Sequence, residues 1–272
     1  MNRRPRCPRT VAALLLGLLL AAGPATSLLA ADTVRGDFLP DADIRSVRKD
    51  EGKTSPAIEW SGSIGATYID AEDGSKIWLT PFTLEARLNR DTTLKLEGDG
   101  YGYVDFGGTT TQGFNNITLI ASHVVYRNEA SRVRLALGAI APGSSGIGSR
   151  AAKQRISASY YRQLSSSWSL LATGRLTRRN QDPLPGERRI EQYGGLQTSY
   201  TLDQPMASSL LPRAVIVQLE RSYRHGAGGS TQATASYEFP LGAKLGGSLG
   251  FTRGLTAGLR DNTFAFDLLF GF

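Results

Sequence analysis

The side chains able to do chemistry in this sequence are charged ones, and most recur at alternate positions. Glu59, Glu85, Glu97, Asp99, Glu191, Glu220, Glu238 and Asp267 stand against Arg87, Lys95, Arg132, Arg134, Arg155, Arg175, Arg179 and Lys244 on the polar side of a period-two pattern. Set around water, such a mixture creates a transverse field that sorts small solutes by charge and size; packed tightly, it becomes an ion-pair network that fills a lumen. Both readings stand on the sequence. Arg132, Arg134, Arg155, Arg175 and Arg179 come from consecutive segments and could line one wall. Guanidinium forks take carboxylate, sulfate or phosphate oxygens two at a time, so this wall is the best candidate for contact with an anionic solute. Acids on neighbouring segments could equally hold it in salt bridges.

Catalytic chemistry has little to work with. The two histidines are His123 and His225. His123 follows Ser122 directly, and adjacent residues of a strand point to opposite faces, so the pair cannot form a dyad. His225 lies in the glycine-rich stretch RSYRHGAGGS between Ser222 and Ser230, where it reads as a surface loop histidine. Two distant histidines and the single Cys7 offer no metal site. Gly138 to Arg150 (GAIAPGSSGIGSR) lacks the lysine of a phosphate-binding loop. The expectation is a protein that is not an enzyme and uses no metal or cofactor.

The elements that must position these charges are strands. From residue 58 apolar and polar residues alternate, interrupted by clusters of Gly, Asn, Asp, Pro and Ser. Twelve strands fit, at 58–69, 76–88, 92–104, 114–127, 131–141, 152–163, 167–179, 188–201, 213–224, 230–239, 243–254 and 262–272; ten fit if the segment from Leu202 to Pro212 is reassigned. Three apolar rows define an outward face: Trp78, Thr80, Phe82, Leu84, Ala86 and Leu88; Val133, Leu135, Leu137 and Ala139; Trp168, Leu170, Ala172, Gly174 and Leu176. Polar residues alternate with them. Short connections (89–91, 128–130, 164–166, 240–242) belong to one end, with 202–212 as its long exception; 70–75, 105–113, 142–151, 180–187, 225–229 and 255–261 belong to the other. A three-residue turn at 89–91 places Leu84 against Leu96 and Glu85 against Lys95, whereas a two-residue turn would set Leu84 against Glu97. The three-residue turn keeps like with like.

The first 31 residues have the form of a secretory signal peptide. Arg3, Arg4, Arg6 and Arg9 precede the apolar run Val11 to Ala22, and SLLAAD offers cleavage after Ala30 or Ala31. Without those four arginines the 31 Lys and Arg fall to 27 against 24 Asp and Glu, so the formal charge of +7 is no argument for nucleic acid. The segment 32–57 is charged, aperiodic and carries Pro40 and Pro56; it reads as a leader or a plug ahead of the strand region 58–272.

The last residues, DNTFAFDLLFGF, put Phe264, Phe266, Leu268, Phe270 and Phe272 on one face of a final strand. This ending resembles the C-terminal assembly signal of Gram-negative outer-membrane barrels, which the barrel-assembly machinery reads. The resemblance implies an all-β fold, a transmembrane antiparallel up-and-down β-barrel, with outer-membrane lipid and lipopolysaccharide as its surroundings. Trp60, Trp78 and Trp168 then fall where aromatic girdles belong. Some twelve-stranded channels for acidic oligosaccharides are similar in having arginine-lined lumens. Outer-membrane lipid hydrolases also use twelve strands, but require a catalytic His and Ser. The function expected is a narrow channel or facilitator for small polar, including anionic, solutes. The alternative is a nonconducting barrel accessory to surface-polymer export or envelope assembly; a hydrolase is the weakest reading. Cleavage sites and lumen candidates aside (Arg87, Arg132, Arg134, Arg155, Arg175, Arg179, Glu85, Lys95, Glu97, Glu220, Glu238, Asp267), no solute is named by these residues.

Overall fold

The computed structural model describes residues 58–143, 151–180, 189–202, 214–223, 229–242, 244–256 and 261–271. The sequence expectations for 1–57, for His225 and for Phe272 lie outside them. The described chain is a single antiparallel sheet that closes on itself. Its strands are β1 (Glu59–Asp70), β2 (Lys76–Leu79), β3 (Phe82–Arg87), β4 (Thr92–Gly98), β5 (Tyr101–Phe106), β6 (Thr109–Phe114), β7 (Ile117–Arg127), β8 (Ser131–Ala141), β9 (Lys153–Gln163), β10 (Trp168–Arg179), β11 (Ile190–Thr201), β12 (Ala214–Tyr223), β13 (Ser230–Pro240), β14 (Leu245–Gly254) and β15 (Asn262–Gly271). β2 with β3, β4 with β5, and β6 with β7 are each one stave interrupted once, so the barrel has twelve staves. β11 and β12 pair along their whole length on either side of residues 202–213, which decides for twelve over ten. The ring closes where β15 pairs with β1, from Ser61↔Gly271 to Asp70↔Asn262.

Alternation sorts the two faces as expected. Leu84, Leu135, Leu137, Ile156, Trp168, Leu196, Val217 and Leu219 are exposed on the outside. Ser63, Thr67, Glu85, Thr93, Arg132, Ser169, Arg175, Gln197, Glu220 and Asp267 are buried on the inside. An apolar outside and a polar inside is the arrangement of a barrel in lipid. Val133 and Ala86 face outward but are covered, standing between Tyr126 and Tyr160 and between Trp60 and Leu94 respectively. Aromatic residues collect at both ends. Phe251, Phe264, Tyr68, Trp78 and Tyr103 form a row of successive cross-strand partners at the outer end, with Tyr68 and Trp78 ring centroids 4.6 Å apart and Phe251 and Phe264 5.1 Å apart. Trp60, Trp168 and Tyr200 mark the inner end, which carries both ends of the barrel chain; Trp168 and Tyr200 centroids are 4.9 Å apart.

Two of the inner turns share one chemistry. Asn89 Oδ1 accepts from the Asp91 and Thr92 amides at 2.9 Å each, and Asn128 Oδ1 accepts from Ala130 at 3.1 Å and Ser131 at 2.6 Å. An Asn side chain that imitates the turn carbonyl stabilises such short reversals. The turn at 89–91 sets the register the sequence favoured, Leu84↔Leu96 and Glu85↔Lys95.

Residues 105–113 correct the sequence reading. They are not a loop: β5 runs on to Phe106, turns at Gly107–Gly108 and returns as β6. Both glycines have positive φ, 58° and 82°, the backbone of a two-residue hairpin turn that glycine adopts without strain. The interruptions in three staves line up: Thr80–Pro81, Asp99–Gly100 and Asn115–Asn116. Pro81 has no amide hydrogen, and its carbonyl accepts from Gly65 N at 2.8 Å. Thr80 Oγ1 accepts from Tyr101 N at 2.9 Å, Asn115 Nδ2 donates to Asp99 Oδ2 at 3.2 Å, and Asn116 Oδ1 accepts from Gly143 N at 3.0 Å. Side chains thus supply partners that the ladder omits.

One extra residue at Asp99–Gly100 shifts the pairing from Phe82↔Gly98 to Leu79↔Gly102. This reverses the faces beyond it. Tyr101 and Tyr103 turn outward, and Val104 turns inward against the buried cluster Ile69, Ile77 and Leu79. Gly100 has φ +63°, and a Cβ there would run into the Thr80 carbonyl oxygen. Gly107 has a similar φ but open space around it. Gly107→Ala is therefore expected to cost about 1 kcal/mol, the left-handed penalty alone, and Gly100→Ala distinctly more, as measured by equilibrium urea unfolding in lipid vesicles followed by tryptophan fluorescence.

Candidate functional site: the charged lumen

Cross-strand pairing puts all twelve candidate lumen residues on the inner wall. Arg132, Arg134, Arg155, Arg175 and Arg179 lie on three adjacent strands, β8, β9 and β10. Glu85, Arg87, Lys95 and Glu97 lie on β3 and β4, and Glu220, Glu238 and Asp267 on β12, β13 and β15. Two cations on the lumen side were not singled out from sequence. Lys153 is two residues before Arg155 on the same face, a signal that the alternation did carry; Arg127 closes the inner end, donating to Asp91 at 3.0 Å. Lys244 is corrected: it lies in the exposed inner turn between β13 and β14, not on a wall. Glu59 reaches only the inner mouth, where its largely exposed carboxylate meets Arg87 at 3.2 Å.

Glu97 is the hub of one cluster. Lys95 Nζ stands 2.7 Å from it on the same strand, and Arg155 Nη1 donates to it at 2.8 Å from β9, past the two intervening strands β7 and β8. The tilt of barrel strands permits that reach, because residues level with one another in the lumen are offset along the hydrogen-bonded rows. Glu191 is a second hub, taking Arg179 Nη2 at 2.9 Å and Lys153 Nζ at 3.4 Å. Two further contacts of this wall are aromatic. The Arg132 guanidinium lies 4.6 Å from the centroid of Tyr161, its direct cross-strand partner, and Arg175 lies 4.2 Å from that of Tyr193, its own partner. Face contact with a ring holds a guanidinium flat against the wall.

Tyr193 joins the basic wall to the acidic one. Its hydroxyl donates to Glu220 Oε1 at 2.7 Å; Gln218 also donates to Glu220, and Gln232 reaches Oε2 at 2.6 Å. Neither tyrosine nor either glutamine was singled out from sequence, since uncharged lumen residues look like any other polar partner of an apolar row. The resulting lumen is segregated by sign. Cations dominate β8 to β10, and carboxylates flank them on β4, β11, β12, β13 and β15. Ser122 and His123 do point apart, Ser122 inward and His123 outward, where His123 Nδ1 meets Thr92 Oγ1 at 3.0 Å.

No protein-family model matches this sequence, and no curated protein is similar to it. Solved structures are similar in fold. An outer-membrane channel from Pseudomonas putida F1 superposes with a TM-score of 0.60 at 15% identity, over 81% of this chain and 97% of that one. The NanC porin gives 0.58 at 9% identity, over 77% and 98%. The translocator domain of the autotransporter NalP from Neisseria meningitidis gives 0.51 at 12% identity, over 85% and 95%. The chain thus has the twelve-stranded fold of outer-membrane barrels. Because Glu97 holds two lumen cations, Glu97→Gln should cost about 3 kcal/mol, the lower end for breaking a partly buried pair. Arg155→Gln added to it should cost much less than it does alone, a non-additivity that a double-mutant cycle of urea midpoints measures.

Proposed function

We propose that the protein is an outer-membrane channel or facilitator for small polar solutes, with a preference for anions. It is made with a signal peptide cleaved after Ala30 or Ala31 and is assembled through its alternating C-terminal strand. It carries no catalytic machinery in this reading. The observation that supports it most is the wall of Arg132, Arg134, Lys153, Arg155, Arg175 and Arg179 on three adjacent strands, opposed by carboxylates from the rest of the ring. A solute entering such a lumen meets a fixed transverse field, and an anion is drawn to the cationic side. The channel and porin among the fold relatives support the same reading.

A second reading has its own observation. Glu220 and Glu238 are each 2% exposed and Asp267 4%, so part of the lumen is closely filled, as in a barrel that serves assembly or polymer export without conducting. Uptake separates the two. Liposomes containing the refolded mature protein should swell in small anionic sugars faster than in neutral sugars of the same size. Arg134→Ala and Arg175→Ala should each reduce that ratio severalfold without altering heat-modifiable gel mobility. A folded barrel whose liposomes do not swell in either solute would favour the nonconducting reading.

A further inference from the structure

Outward-facing charges are distributed as unevenly as the inward ones. On the five strands β10 to β14 every carboxylate, Glu191, Glu220 and Glu238, faces the lumen. Three exposed arginines on the same strands, Arg178, Arg221 and Arg253, face outward. Each stands at the outer end of its strand, two residues beyond an outward apolar residue: Leu176, Leu219 and Phe251. None has a carboxylate across the ladder. Arg178 is flanked by Gln154 and Ile190, Arg221 by Gly194 and Thr231, and Arg253 by Ala233 and Asn262. The Arg221 guanidinium is held over the Tyr223 ring at 4.8 Å. The opposite side of the rim differs, since its outward cation Lys76 stands between Asp70 and Asp105 as cross-strand partners.

An outward arginine costs about 2–4 kcal/mol at the middle of a bilayer and little at its interface, so these three mark the level where the hydrocarbon ends. A row of cations with no carboxylate among their described cross-strand partners fits, at that level, an anionic headgroup whose acyl chains lie along the apolar wall below. The arginines are on alternate strands and are offset by four residues along β11 and by two along β13, so Arg178 and Arg221 are about 16 Å apart and Arg221 and Arg253 about 12 Å, the shorter span comparable to that between phosphates at the two ends of a disaccharide. We propose that Arg178, Arg221 and Arg253 form an external edge that binds a phosphorylated, multiply acylated glycolipid of the outer leaflet, the lipid A part of lipopolysaccharide. Guanidinium donors take the phosphate oxygens, and Leu176, Leu219 and Phe251 line the path of the chains. The inference rests on the outer-membrane placement proposed above and is independent of whether the lumen conducts.

The test uses purified full-length barrel in detergent, with bound lipid measured by native mass spectrometry. Bisphosphorylated lipid A should be retained by the wild type, and its dephosphorylated form should not. Each arginine removed should weaken binding about fivefold, and R178Q/R221Q/R253Q about a hundredfold. R162Q, which removes an outward arginine at the inner end, should change nothing, and the triple variant should swell liposomes as the wild type does. Equal binding by the triple variant, or equal binding of phosphate-free lipid A by the wild type, would overturn the proposal. The second comparison needs no variant to fold. Loss of liposome swelling with lipid binding intact would count against the channel and not against this edge.

Discussion

Every backbone amide and carbonyl at the level of the hydrocarbon must find a partner within the protein, because an unpaired group there costs several kcal/mol. The seam between β1 and β15 is where that requirement is met last, since it joins the two ends of the strand region. Two glycines of β1 specify it. Gly62 faces outward beneath the Phe270 ring, and Gly65 faces inward beneath the Asp267 carboxylate; a Cβ at either position would collide with those side chains. The last strand therefore locks into the first on both of its faces, one apolar and one charged. Phe239 over Gly247 and Phe82 beside Gly98 repeat the outward half of this device at other strand pairs. The residues that resemble an assembly signal are thus also the residues that close the sheet.

Closure imposes strict alternation, and alternation places chemistry. Once one face is committed to lipid, each stave offers the lumen every second residue, and every carboxylate of β3, β4 and β8 to β15 gathers there with most of their cations, while Arg162, Arg178, Arg221 and Arg253 stay outside at the strand ends. The bulge at Asp99–Gly100 is the local departure that preserves the rule globally. Continuing the pattern of Leu94, Leu96 and Gly98 would have sent Gly102 and Val104 into lipid and buried Tyr101 and Tyr103. The extra residue instead delivers both tyrosines to the outer girdle, beside Trp78 and Phe114.

Faces and the first inner register were legible in the sequence because each depends on a period of two and on turn length; strand number was legible only as twelve or ten, and the pairing of β11 with β12 decided it. Leu135 and Leu137 outside, Arg132 and Arg134 inside, and Glu85 opposite Lys95 required nothing else. The hairpin across 105–113 was not legible, because DGYGYVDFGGTTTQGFNN is as rich in turn residues as a loop; its glycines serve a bulge and a hairpin turn rather than an irregular connection. The ion-pair partners were not legible either. Arg155 of β9 meets Glu97 of β4 through strand tilt and shear, which adjacent-strand reasoning does not contain. Tyr161 and Tyr193, which seat Arg132 and Arg175, carry no charge to draw notice.

A channel of this design must pass ions through its segregated lumen. Its cations are seated by Tyr161, Tyr193, Glu97 and Glu191 along one side, and Glu220 is tied into side-chain hydrogen bonds on the other, so the field across it is built into the wall. The most direct measurement is single-channel recording of the refolded mature protein in a planar bilayer, with the reversal potential taken in a KCl gradient. Discrete conductance steps with a reversal potential displaced toward that of chloride are expected. A folded, heat-modifiable barrel that stays silent, or one whose steps favour potassium, would contradict the account.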